Sequence, residues 1–292
     1  MKRGSRFAAL ALLVAAPATA AEWARVAEAP TLAFPRDHGS HPAFRTEWWY
    51  VTGQLADADG RRYGFELTFF RQGLDPSPPA PGSSALRARQ VLAAHLAVAE
   101  IGKGTMRFAQ RVRRIAAGMA DAREDDLNLF LDDWEMRRLS NGAITFGAGD
   151  RDTGTALTLE LQPGKPIVLQ GENGLSHKGP EVGNASVYVS FTRLAARGRL
   201  TLDGRARTVN GEAWFDHEWG TSQLGAGVVG WDWLGLRLAD GRELMLNRLR
   251  FADGSAAPQS AGTLVERDGT TRRLAASDFT LEPLSWWTSP RT

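Results

Sequence analysis

Glu47-Trp48-Trp49-Tyr50-Val51-Thr52-Gly53-Gln54-Leu55 runs into Asp59-Gly60, and residues 61–71 return from that turn. Alternating side chains on either side of a tight turn are the mark of an antiparallel hairpin. Asp-Gly tolerates the positive φ that such a turn demands. The device recurs at Asn141-Gly142, Asp203-Gly204, Asp240-Gly241, Asp253-Gly254 and Asp268-Gly269, each between stretches of strand character. Further strands are expected over 91–101, 106–114, 128–138, 156–162, 186–193 and 244–251. Helical periodicity is scarce: only 116–126 offers a turn of helix, and Gly118 with the acidic run beside it makes a loop an equal reading. The fold class is all-β and antiparallel.

Two segments interrupt the meander. Residues 73–90 carry Pro76, Pro78, Pro79 and Pro81 and read as a long surface loop, either a lid over a barrel mouth or a plain connector. Gly171-Glu172-Asn173-Gly174-Leu175-Ser176-His177-Lys178-Gly179-Pro180 precedes a change of strand set and is taken as the link between domains 21–180 and 181–292. An internal echo favours two similar halves. Trp48-Trp49-Tyr50 leading to Asp59-Gly60, and Trp231-Asp232-Trp233 leading to Asp240-Gly241, are both tryptophan-led strands entering an Asp-Gly turn. The chain closes on Trp286-Trp287-Thr288-Ser289-Pro290-Arg291-Thr292 with no strand to follow, so the second half is expected to be truncated.

The first 20 residues read as a leader. Lys2, Arg3 and Arg6 precede an apolar run over 7–16, and Ala18-Thr19-Ala20 offers a small-residue cleavage site. The apolar run falls short of the ~20 residues that a membrane span needs, and nothing after it approaches one. A periplasmic or secreted protein is expected. The chain has no cysteine, which excludes disulfides, thiolate metal sites and a cysteine nucleophile. Its 35 basic and 33 acidic residues become 32 and 33 once Lys2, Arg3 and Arg6 are removed. That near-neutral balance removes the electrostatic case for nucleic acid.

The densest chemistry lies in Gly211-Glu212-Ala213-Trp214-Phe215-Asp216-His217-Glu218-Trp219-Gly220, with Trp231-Asp232-Trp233 shortly after it. On an extended strand Asp216 and Glu218 share one face, while His217 and Trp219 share the other. His217 and Trp219 are expected to look into an apolar cavity, with the carboxylates outside it or at the domain interface. By the same rule Asp232 points away from Trp231 and Trp233. His38 and His41 make a weak metal pair in a loop, and Gly102-Lys103-Gly104-Thr105 lacks the upstream glycine of a phosphate loop. No cofactor and no metal are expected. Glu47 beside two tryptophans reads as a buried acid paired with Arg45 or Arg71.

Asp37-His38-Gly39-Ser40-His41-Pro42, Arg45-Thr46-Glu47-Trp48-Trp49-Tyr50, Val209-Asn210 with the ten residues that follow, and Gly230-Trp231-Asp232-Trp233 together resemble the carotenoid 1,2-hydratase family, also called hydroxyneurosporene synthase or AttH-like. The likeness runs from Phe34 to Thr292. It implies two tandem lipocalin-like antiparallel β-barrels, the second short of its last strands. It also implies catalysis by a His-x-Trp pair, here His217 and Trp219, with a downstream acid for which Asp232 is the nearest candidate.

Hydration of an isolated alkene fits that set. A carboxyl with a raised pKa protonates carbon, an indole face steadies the cation by about 2 kcal/mol, and an imidazole accepts a proton from water. Asp232, Trp219 and His217 fill those roles in turn. Trp48, Trp49, Trp214, Trp231 and Trp233 are expected to bind a small apolar, isoprenoid- or lipid-like ligand, although each competes with a plain core role. The competing class is a non-enzymatic lipid carrier or chaperone that works with components of an ABC-type exporter.

Overall fold

A computed structural model of the chain describes residues 21–78, 80–84, 86–222 and 224–288. The leader expected over 1–20 and the closing residues 289–292 lie outside them. Strands β1 (Thr46–Asp57), β2 (Arg62–Gly73), β3 (Gln90–Glu100) and β4 (Thr105–Arg114) form a meander. It continues through β5 (Ala120–Ala122), β6 (Asn128–Leu131), β7 (Trp134–Arg138), β8 (Ile144–Asp150) and β9 (Thr155–Pro163). After two short strands, β10 (Val168–Leu169) and β11 (Leu175–His177), come the long partners β12 (Ala185–Leu202) and β13 (Arg205–Gly220).

These thirteen strands make one antiparallel sheet ordered β4-β3-β2-β1-β13-β12-β9-β8-β7-β6-β5, with β10 and β11 paired to β12. Ion pairs from Arg111 to Asp133 and from Arg113 to Asp132 draw its two ends together. The result is a nearly closed, lipocalin-like barrel. Alternation explains its core: Trp49, Val51 and Leu55 of β1 face inward with Leu67 and Phe69 of β2, Leu92 and Leu96 of β3, and Phe215 of β13. Each such side chain contributes roughly 1.5–3 kcal/mol on burial. β13 lies close against β1 at a glycine: a Cβ on Gly211 would collide with the Gln54 carbonyl.

Four further strands, β14 (Val228–Arg237), β15 (Glu243–Phe251), β16 (Ala261–Val265) and β17 (Thr271–Ala275), make a second, open sheet in chain order. Its inner face packs on the outside of the barrel. The division expected after residue 180 does not break the first sheet. β12 and β13 lie beyond it, yet their backbone groups pair with β9 and β1. The expected link itself supplies β11, hydrogen-bonded to β12. No helix among the described residues is long and apolar enough to cross a membrane.

One buried carboxylate joins the sheets. Glu243 of β15 accepts from Arg193 Nε at 2.6 Å, Lys165 Nζ at 2.8 Å and Thr192 Oγ1 at 3.3 Å. Lys165 also donates to the carbonyls of Gly241 and Glu266, at 2.8 and 2.7 Å. Removing one partner of a buried pair strands the other charge, at a cost of about 3–5 kcal/mol. Glu243→Ala is therefore expected to loosen the small sheet first. Hydrogen exchange should rise across 228–275 while amides of β1–β3 stay protected, and uniform loss of protection would contradict this.

Candidate active site

From Ala213 onward every residue of β13 is buried, because the barrel interior takes one face and the small sheet covers the other. The register sets His217 opposite Trp49 and Val189, and Asp216 opposite Tyr50 and Ser190. His217 and Trp219 point into one end of the barrel. Trp214, Asp216 and Glu218 point toward the small sheet.

The barrel-side cluster is built on Glu47. Its Oε2 accepts from Arg71 Nε at 2.7 Å and Ser40 Oγ at 3.2 Å. Its Oε1 accepts from His41 Nδ1 at 2.7 Å and His217 Nε2 at 2.9 Å. The backbone N–H of His41 reaches both oxygens. Burial works against the Glu47 carboxylate, but hydrogen bonds from the two imidazoles and the Arg71 charge hold its pKa well below the ordinary value. Burial lowers His217 to about 4 despite that neighbour, so the ring is neutral. His217 stacks on Trp49 at 4.8 Å between centroids, and His41 on Trp219 at 3.7 Å. One ligand atom from each of His41, Glu47 and His217 lies within 4.8 Å of the others. Arg71 already supplies the positive charge there, and the imidazole nitrogens facing Glu47 are spent on hydrogen bonds to it. The donor set is that of a structural pin.

The other face of β13 opens into a cleft of about 620 Å³ between the sheets. Its walls are Trp48, Tyr50 and Phe70 from the barrel and Trp231 and Trp233 from β14. Asp216, Tyr188 and Glu218 form its floor. Asp216 Oδ1 accepts from Ser190 Oγ at 2.5 Å and Trp214 Nε1 at 2.6 Å, and Oδ2 lies 2.8 Å from Tyr188 Oη. Trp233 Nε1 donates to the same phenol oxygen at 3.0 Å. Burial pushes Asp216 up to about 7, the Glu218 charge adds to the rise, and its three neutral donors offset only part of it. Burial and the two carboxylates keep the Tyr188 phenol well above its usual value. Glu218 is bonded to Ser186 Oγ, and Lys178 Nζ stands 3.1 Å from its Oε1. The cleft thus presents an acid, a phenol and a lysine-paired carboxylate beneath aromatic walls.

The model of a family described as AttH-like matches residues 25–292. The chain belongs to the AttH-like family. Among solved structures, one assigned as AttH from Nitrosomonas europaea is 34% identical, with a TM-score of 0.81 over 92% of this chain and 80% of that one. Kievitone hydratase from Nectria haematococca is 10% identical, with a TM-score of 0.62 over 87% of this chain and 71% of that one, a likeness of fold alone. Comparison with the curated proteins returns no match.

The alternation expected for 216–219 holds in this AttH-like chain, but the cleft is on the carboxylate side. His217 and Trp219 sit in packed interior because Glu47, Arg71 and His41 fill that end of the barrel. Of the tryptophans expected to bind ligand, Trp48, Trp231 and Trp233 line the cleft. Trp49 lies in the barrel core, and Trp214 lies under the floor as a donor to Asp216. Asp232 does not join His217 and Trp219. It is 40% exposed on the outer face of β14 and pairs with Arg250 Nε at 3.0 Å and Arg248 NH1 at 3.5 Å. Glu47 takes Arg71, one of the two partners expected for it. Sequence reasoning missed Tyr188, Ser190 and Lys178. Tyr188-x-Ser190 opposite Asp216-x-Glu218 is the signal that would have found them, once β12 and β13 are paired.

The Asp216 shift has a signed consequence for stability. The unfolded chain releases this proton near pH 4 and the folded chain near pH 7, so stability falls as pH rises between those values and levels off above them. In an Asp216→Asn variant the side-chain amide keeps the hydrogen bonds of the protonated acid and does not titrate. The variant is expected to match wild type near pH 3, where folded and unfolded chains both hold the proton, and to exceed it at pH 8 by up to roughly 4 kcal/mol. A difference in melting temperature that does not change with pH would refute the assignment.

Proposed function

We propose that the chain binds an apolar, unsaturated, isoprenoid-like molecule in the cleft and adds water to one of its double bonds without a cofactor, in the manner of carotenoid 1,2-hydratases. The observation that carries this reading is a buried, protonatable carboxyl, Asp216, bonded to a phenol at the floor of an aromatic cleft. Tyr188 Oη donates to Asp216 Oδ2 and accepts from Trp233 Nε1, so Asp216 is the group beneath the cleft that carries a proton to give near neutral pH. Transfer of the Asp216 proton to an alkene carbon leaves a tertiary cation on the ligand and a carboxylate held by Ser190, Trp214 and Tyr188. The faces of Trp48, Trp231 and Trp233 attract that cation by about 2 kcal/mol each at best when water is excluded.

Water then adds to the cation, Glu218 takes the proton released, and return of that proton to Asp216 by way of solvent restores both groups. Lys178 places a positive charge beside Glu218, while Asp216, with only neutral donors, keeps its proton. Two acids in such contrasting surroundings are the signature of an acid–base pair. The acid role moves here from Asp232 to Asp216, and the base role from His217 to Glu218. Family membership supports the reading, and the solved hydratase of like fold supplies a precedent for such chemistry on this architecture. The basic and apolar opening residues support secretion or a periplasmic site of action.

Incubation with acyclic carotenoids, followed by mass spectrometry for a gain of water, tests the activity. Asp216→Asn and Glu218→Gln are each expected to lower the rate by about 10²–10⁴-fold with ligand binding retained. The wild-type rate should fall as pH rises through about 7. Wild-type protein that loads the ligand and never turns it over would instead mark a carrier of the kind that serves an exporter.

A further inference from the structure

The cleft does not end at Glu218. A narrow neck of about 40 Å³, lined by Lys178, Tyr188, Trp233 and Asn247, continues it beneath the small sheet. Asn247 also lines a second cavity of about 290 Å³. That cavity lies between the β11 segment and β15–β17, with Ser176, His177, Gln259 and Arg273 among its walls. The inner face of the small sheet therefore changes character across its width. Trp231 and Trp233 stand on β14, Asn247 is opposite Trp233 on β15, and Arg273 is on β17. Asn247 Oδ1 is buried with no hydrogen-bond partner among the described residues. An orphaned buried amide oxygen costs about 1–3 kcal/mol, a cost that a ligand hydroxyl at the joint of the two cavities offsets.

We infer that cleft and neck take one amphiphilic molecule, an unsaturated long-chain alcohol whose hydroxyl seats on Asn247 where the neck meets the second cavity. This rests on the cleft being the ligand site and specifies what the ligand carries. A hydroxyl both donates and accepts, so it satisfies the amide in either orientation, and the Lys178 ammonium beside the neck adds a donor to its oxygen. A carboxylate head group is disfavoured at the far end, because Glu172 already pairs with Arg273 there. The apolar chain then runs back past Tyr188 under the indoles, which places a double bond over Asp216.

Farnesol, its deoxy analogue (the same triene without the hydroxyl) and farnesoic acid separate the cases, with quenching of tryptophan fluorescence as the measure of binding. Farnesol is expected to bind wild-type protein about tenfold more tightly than the deoxy analogue, the worth of one good hydrogen bond. Asn247→Leu should erase that preference and leave binding of the analogue unchanged. Equal binding of farnesol and analogue to wild type would overturn the inference and leave the cleft reading standing. Failure of all three to bind would overturn both. Farnesoic acid binding more tightly than farnesol, with the advantage lost in Arg273→Gln, would assign the head group to Arg273 and overturn the alcohol.

Discussion

The second half of β13 is hydrogen-bonded along both edges and buried on both faces, and the rest of the molecule answers to that constraint. A strand so placed can keep polar side chains only if each finds a partner. His217 finds Glu47, Asp216 finds Ser190, Trp214 and Tyr188, and Glu218 finds Ser186 and Lys178. Those partners come from β1, from β12, from β13 itself and from the turn after β11. The strand therefore orders residues far apart in the chain around itself.

Glu47 and Asp216 show how partner type decides chemistry. Both carboxyls are buried and each has several hydrogen bonds. Arg71 and two imidazoles surround Glu47, whereas only hydroxyls and an indole N–H surround Asp216. A full opposite charge offsets desolvation, and neutral dipoles offset part of it. One carboxyl is locked as an anion and fastens the barrel end. The other keeps a proton to near neutrality at the edge of a cleft.

Much of the fold was legible because it is written locally. The Asp-Gly and Asn-Gly turns marked hairpins, and alternation correctly sorted His217 from Asp216. Which side of β13 would be hollow was not legible. It depends on whether the Glu47 cluster fills the barrel end, and on the small sheet standing off the other face. The pairing of residues 175–177 with β12 was not legible for a related reason: a loop rich in Gly, Asn and Pro looks the same whether it links domains or turns back to join a sheet. Asp232 drew notice by standing between two tryptophans, yet strand alternation sends an acid so placed to the opposite face from both. Trp231 and Trp233 face the cleft, and that sets Asp232 on the outside.

Because Asp216 is costly to bury as an anion, something else must hold the sheets in register over it. Glu243, with Lys165 and Arg193, does this from the small sheet, and Glu47 with Arg71 does it within the barrel. Both pins are multiply bonded charged groups, the kind whose loss leaves a stranded buried charge. They lie outside the cleft lining, so their rigidity does not obstruct a ligand. The floor between them is then free to carry a group poorly suited to its surroundings, which is the condition under which a carboxyl acts as an acid near neutral pH.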